Sequence, residues 1–327
     1  MFMPREIWYA DAIREALSQE MRRDDAVYVF GEDVAAYGGV FGITKDLLAE
    51  FGPVRVRNTP LSEAAIIGEA IGAAIYGLRP VPEIQFADFL TTAVSPIVDI
   101  AASYHYRIGT PVPITIRAPS GGALRIGHFH SKCLEAWFTH VPGLKVVVPA
   151  TAYDAKGLLV ASIRDNNPVI YFEQKKLYRE IKDDVPDELY TVPLGKAVVR
   201  REGKDITLIT YGSPLYLAYQ AAKQLEKKGI GLEIIDLRTL QPYDRETILT
   251  SFKKTNRAII LHEAPKIGGF GAEIASMIVE ESFDQLAAPI VRIGAKQTPI
   301  PTNPVLEDNY LPSLKDVIDA AERLMQY

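Results

Sequence analysis

Short runs of β-branched residues alternate with segments of helical period along nearly the whole chain, and this alternation confines the fold to a mostly parallel α/β sheet. It occurs twice. In the first series, residues 9–23 predict an amphipathic helix, followed by a buried strand at Val27–Phe30 and helices near 43–51 and 62–77. Ser62 stands where it can cap the second of these helices, and Glu63 falls in its first turn. Strands at Pro80–Phe86 and Pro113–Arg117 follow, with a helix between them. Leu144–Val148, a helix near 153–164 and Val169–Phe172 close the series. Residues 174–196 then change character: they are charged, hold two prolines and keep no period, as expected of a connection between domains. Beyond them come strands Ile206–Thr210, Leu232–Asp236, Ala258–His262 and Ile290–Ile293, alternating with helices over 214–228, 244–252, 271–286 and 313–325. A length of 327 residues accommodates two such domains.

Composition removes several classes of function. The chain carries 36 Lys+Arg against 41 Asp+Glu, a net charge of −5, which argues against nucleic acid or an anionic membrane as a partner. The single cysteine, Cys133, excludes a disulfide framework and a cysteine-rich metal site. No apolar run reaches the ~20 residues of a membrane span. The opening MFMPREIWYADAIREAL has neither a signal-peptide core nor transit-peptide composition, so a cytoplasmic protein is expected.

Three features invite a chemical reading. GGFGAE at Gly268–Glu273 resembles a dinucleotide fingerprint, but Ile274 follows where a third glycine is required, and no acidic residue ends a strand ~20 positions on. A tight turn into a helix is the better account. His128 and His130 lie in a glycine-rich, irregular stretch ahead of a helix, where loops of a parallel sheet gather ligands. None of the five histidines forms a metal-ligating pair with another. Glu63 is either a carboxylate settled at a helix N-terminus or one that hydrogen-bonds a ligand nitrogen, and the local sequence leaves both open.

GEDVAAYGGVFGITKDLLAEFG, NTPLSEAAIIGEAIGAAIYGLRPVPEIQFADF, HFHSKCLEAWFTHVPGLKVVVPAT, YDAKGLLVASIRDNNPVIYFEQKKLYR and TPIPTNPVLEDNYLP occur in this order. Together they resemble the β subunit of the thiamine-diphosphate-dependent E1 component of 2-oxo acid dehydrogenase complexes, from about residue 5 to the C-terminus. The resemblance implies an α/β pyrimidine-binding thiamine diphosphate domain over 1–180 and a transketolase C-terminal-like domain over 195–327. It implies that Glu63, in the TPxSE motif with Leu61, bonds N1′ of the cofactor's aminopyrimidine, so that the protein tunes a proton while the cofactor does the carbanion chemistry. Phe89 would stack on that ring with Gln85 beside it. His130 would serve acyl transfer to the lipoyl group of E2, a role suited to a near-neutral side chain. Carbonyls of Ile114, Ser162, Ile163 and Asp165, with Asn167, would hold a potassium ion.

The GDG motif that binds magnesium and diphosphate in this superfamily is absent, and GED at 31–33 does not replace it. An E1 α subunit should therefore hold Mg2+ and complete the site in an α2β2 heterotetramer bound to the E2 lipoyl acyltransferase. The implied activity is oxidative decarboxylation of a 2-oxo acid, pyruvate or branched-chain, with acyl transfer to lipoyl-E2. The alternative is an acetoin dehydrogenase β subunit, whose TPxP…LED ending is similar. A single-chain transketolase-like enzyme is disfavoured by the missing GDG, a Rossmann oxidoreductase by the missing third glycine, and a purely structural subunit by the presence of Glu63, Phe89 and His130.

Overall fold

A computed structural model describes residues 5–327; residues 1–4, where the leader-peptide reading begins, lie outside the described residues. The chain packs into two units, residues 5–120 with Trp137–Leu194 and Gly121–Ala136 with Gly195–Tyr327. No helix among the described residues is long and apolar enough to cross a membrane.

The first unit contains β1 (Glu6–Trp8), α1 (Tyr9–Arg23), β2 (Val27–Gly31), α2 (Leu47–Arg55), β3 (Val56–Asn58), α3 (Glu63–Ile75), β4 (Arg79–Glu83), α4 (Ala102–Ile108) and β5 (Thr115–Ser120). After α5 (Glu135–Thr139), which begins in the second unit, it continues with β6 (Lys145–Val147), α6 (Ala152–Arg164), β7 (Val169–Gln174) and β8 (Lys182–Asp184). Six of its strands run parallel in the order β6-β7-β5-β4-β2-β3. β2 is buried at all five positions, as a central parallel strand covered on both faces must be. Ala12, Ile13, Ala16, Leu17 and Met21 recur at helical spacing on the buried side of α1, which packs on α6. At the sheet's centre Arg117 is fully buried; its Nη1 donates to Glu83 (2.5 Å), and its Nε and Nη2 donate to Glu173 (2.6 and 2.9 Å).

The second unit contains β9 (Val198–Arg201), β10 (Ile206–Thr210), α7 (Pro214–Glu226), β11 (Leu232–Asp236), β12 (Thr239–Gln241), α8 (Arg245–Thr255), β13 (Ala258–Pro265), α9 (Gly271–Ser282), β14 (Val291–Ala295), α10 (Pro304–Tyr310) and α11 (Leu314–Leu324). Its sheet runs β14-β13-β10-β11-β9, parallel except for the edge strand β9. A capping box between Ser313 and Asp316 starts α11.

Several local expectations need correction. The helix expected near 43–51 begins only at Leu47, because Asp46 is left-handed (φ 70°), and it kinks at Gly52–Pro53 before reaching Arg55. Ser62 holds the N-cap position of α3, but its side chain makes no capping bond. β4 ends at Glu83, three residues short of expectation. The segment read as a connection folds onto the first unit through residue 194, with β8 pairing antiparallel to β1. The GGFGAE glycines have a packing role: a Cβ on Gly271 would stand 2.7 Å from Nε2 of the fully buried His262 ring. Burial pushes that imidazole down to about 4, and its Nδ1 lies 3.0 Å from the Ala264 carbonyl.

Candidate active site

Three neighbouring parallel strands, β4, β2 and β3, deliver residues to their carboxyl ends, the edge where open α/β sheets bind ligands. β2 runs out into Glu32 and Asp33, and β3 leads through Thr59–Ser62 to Glu63, the first residue of α3. β4 continues to Gln85 and to the 3-10 turn Ala87–Ala93, which carries Phe89 and Thr92. The Thr92 hydroxyl lies 3.0 Å from Glu63 Oε2 and 2.8 Å from the Phe89 carbonyl. Gln85 Nε2 reaches the Glu32 carbonyl (3.5 Å) and Asp33 Oδ2 (3.4 Å). Phe89 is half-buried and meets Phe86 edge-on at 5.8 Å, whereas Leu61 is 79% exposed. Glu63, Gln85 and Phe89 are thus drawn into one cluster of the first unit with Thr92.

The same cluster contains a residue that sequence reasoning passed over. Glu32 is 4% exposed, and neither of its carboxylate oxygens has a hydrogen-bond partner among the described residues. Burial, then the nearby Glu63 and Asp33 charges, pushes its carboxyl up to about 7. A carboxyl group in that state holds a proton near neutrality and can still release it, which is the property of an acid–base group. The only sequence signal was GED, which fails as a magnesium motif.

His130 belongs to the second unit, on the irregular stretch between Gly121 and α5. Gly121, Ala123, Arg125 and Gly127 all adopt positive φ, between 63° and 89°. For Ala123 and Arg125 that conformation costs about 1–2 kcal/mol each, so the surrounding structure must enforce it. The His130 amide donates to the Gly127 carbonyl at 3.2 Å. His128 is exposed beside Phe129.

Comparison with known proteins decides the family. Residues 5–180 match the family described as "Transketolase, pyrimidine binding domain" and residues 195–317 match "Transketolase, C-terminal domain". The 2-oxoisovalerate dehydrogenase subunit beta 2, mitochondrial, of Arabidopsis thaliana is 48% identical over 97% of this chain and 88% of its own length. The acetoin:2,6-dichlorophenolindophenol oxidoreductase subunit beta of Bacillus subtilis is 45% identical over 99% of this chain and 98% of its own. The pyruvate dehydrogenase E1 component subunit beta of Staphylococcus aureus is 44% identical over 97% and 98%. This chain belongs to the E1 β-subunit family. In fold the E1 β chain is also similar to a solved split-gene transketolase described as an inactive beta4 tetramer, with a TM-score of 0.81 at 24% identity over 98% of both chains.

The transketolase-type domains imply dependence of E1 β on thiamine diphosphate. The pyrimidine end of that cofactor fits the Glu32–Glu63 cluster, where buried carboxyl oxygens lack partners. No group of three His, Cys, Asp or Glu able to hold a metal occurs among the described residues of E1 β. The residues that the resemblance offers to potassium present only oxygen atoms, a set that would suit a hard cation. Each carbonyl already accepts one N–H: Ile114 from Val169 (2.9 Å), Ser162 from Asp165 (3.1 Å), and Ile163 and Asp165 from Arg79 (2.9 and 3.1 Å). One lone pair remains on each. The side-chain oxygens are engaged, Asn167 Oδ1 with His105 (2.7 Å) and the Asp165 carboxylate with Lys145 and the Asn167 amide.

Proposed function

We propose that this E1 β chain works with an E1 α subunit in oxidative decarboxylation of a 2-oxo acid and transfer of the acyl group to a lipoyl group of E2. The observation that carries the reading is the pair of cation-free carboxyl groups, Glu32 and Glu63, at the carboxyl ends of β2 and β3. When bound, thiamine diphosphate supplies the carbanion chemistry. Glu63 would accept a hydrogen bond from N1′ of the aminopyrimidine, with Thr92 fixing its other oxygen. Glu32 would hold the proton that keeps the two carboxylates from repelling each other. Phe89 would support one face of the ring, and Gln85 would fix the backbone of Glu32. Leu61, exposed ahead of α3, would cover the cofactor from the protein side. His130 would hold a proton for the lipoyl sulfur during acyl transfer. The carbonyls of Ile114, Ser162, Ile163 and Asp165, with Asn167, would share one potassium ion.

The α subunit would supply magnesium and the diphosphate site in an α2β2 assembly in the cytoplasm. α3 offers a surface for it: Leu61, Ala64, Ala65 and Gly68 are exposed, and a Cβ on Gly68 or Gly72 would meet nothing within 4 Å. Small residues on such a face let another backbone approach closely. A pyrimidine site alone offers a few contacts of ~1–3 kcal/mol each against an association cost of at least ~4 kcal/mol. The isolated chain should therefore show neither magnesium-dependent thiamine diphosphate binding by calorimetry nor decarboxylase activity, and both should appear on adding an α chain that carries GDG. Micromolar binding by this chain alone would overturn the two-subunit reading.

A second reading, an acetoin dehydrogenase β subunit, is favoured by the 45% identity to the acetoin-oxidising relative over 99% of the chain. Values of kcat/KM for the reconstituted pair on pyruvate, 3-methyl-2-oxobutanoate and acetoin separate the readings.

A further inference from the structure

The TPIPTNPVLEDNYLP motif marks the family, yet nothing above gives it work. Its Glu307, in α10, is fully buried, 184 residues from the backbone it binds. One carboxylate oxygen accepts the Ala123 amide at 3.0 Å. The other accepts the Arg125 amide at 3.1 Å and Arg125 Nη1 at 2.8 Å. Glu263, near the end of β13, accepts the preceding Gly122 amide and the Ser213 hydroxyl, the latter at 2.8 Å. Two carboxylates from separate elements therefore collect three amides of one short loop. Two of those amides belong to Ala123 and Arg125, the non-glycine residues held at positive φ. Gly127 lies so close to Thr302 of the same motif that a Cβ there would stand 2.4 Å from its methyl. Three residues beyond Gly127 stands His130, whose amide is tied to the Gly127 carbonyl.

We infer that Glu307, assisted by Glu263, is a positioning residue for His130: it enforces the left-handed loop that fixes where the imidazole sits. The inference rests on the reading of His130 as the acyl-transfer histidine. Glu307 acts through backbone amides upstream of the histidine, so its loss displaces that loop and leaves the Glu32–Glu63 cluster intact. The charge matters as well as the shape, because Arg125 donates both its amide and its guanidinium to the same oxygen.

The test uses the reconstituted α/β enzyme carrying Glu307→Gln, an isostere that preserves volume but presents one acceptor oxygen where two are needed. Amides of residues 121–127 should lose at least tenfold of their hydrogen-exchange protection, while those of β10 and β13 keep theirs. Reductive acylation of a free lipoyl domain should fall at least tenfold, while decarboxylation with an artificial electron acceptor stays within about threefold. Arg125→Leu, at a half-exposed position that does not threaten the fold, should produce the same split at about threefold. Unchanged loop protection in Glu307→Gln overturns the inference, as does equal loss in both assays. His130→Ala is measured alongside: if it impairs both reactions equally, the reading of His130 falls, whereas a split in His130→Ala without one in Glu307→Gln removes only the positioning role.

Discussion

The first unit holds two sets of acids, one built around a buried cation and one without a cation. Glu83 and Glu173 sit on the guanidinium of Arg117, inside the sheet. Glu32 and Glu63 stand at the sheet's edge with no cation between them, and Glu32 has no donor among the described residues for either oxygen. The first arrangement sets ion pairs against desolvation, which still pushes the Glu83 carboxyl up, and such a cluster holds strands β4, β5 and β7 in one geometry. The second leaves the desolvation uncompensated, so the proton becomes the compensating charge. A carboxyl group whose oxygens have no other partner can hand its proton to a ligand, whereas acids on the guanidinium of Arg117 are committed to that ion pair. The difference separates the acids that build the sheet from those that can do chemistry on its edge.

Four measurements bear on this contrast. The largest effect is expected for Glu63→Gln, which keeps the shape but cannot exchange a proton at the site. Decarboxylation by the reconstituted enzyme should fall at least 100-fold, the range for loss of general acid–base help, with the circular dichroism spectrum unchanged. Near-normal turnover would break the assignment of chemistry to this cluster. Next, Arg117→Met should leave two buried carboxylates without their partner and destabilise the chain by about 3–5 kcal/mol in urea titration. A loss under about 1 kcal/mol would mean the central cluster is no more structural than the edge cluster.

A smaller effect attaches to Glu32. Its folded value is raised to about 7, so the folded state holds more protons than the unfolded chain between the ordinary carboxylate range and neutrality. That contribution is present at low pH and is lost as pH rises toward 7. The wild-type chain should therefore lose stability between pH 5 and pH 8, and Glu32→Gln should flatten that profile; an unchanged slope would remove the proton from Glu32. The smallest effect concerns the Asp165 region, which falls between the two extremes: its carboxylate has Lys145, while its carbonyl shares Arg79. Replacing potassium with tetramethylammonium should lower Tm by a few degrees through loss of a bound ion. Insensitivity would leave Arg79 and Lys145 as the only cations that site uses.

Much of this was legible in the sequence because it is local. Both sheets follow from the alternation of buried runs with helical segments, and Glu63 follows from a motif five residues long. What escaped depends on distant residues. Glu32 lies in a GED triplet that is unremarkable in one dimension, and its state is set by burial and by the charge of the distant Glu63 as well as its neighbour Asp33. Asp46 looks like part of a helix until its backbone turns left-handed. β9 is a four-residue edge strand whose VVRR pattern carries no period. GGFGAE reads in sequence as a tight turn, but nothing in it shows that Gly269 and Gly271 pack on the ring of His262.

The histidine loop also constrains how the chain can be made. It leaves the ribosome 184 residues before the carboxylate that holds Ala123. At roughly 5–20 residues per second it waits on the order of 10–40 s without the carboxylate that enforces a conformation its own residues disfavour. Dividing the protein at the 180–195 segment would therefore strand the loop on one fragment and its acids on the other.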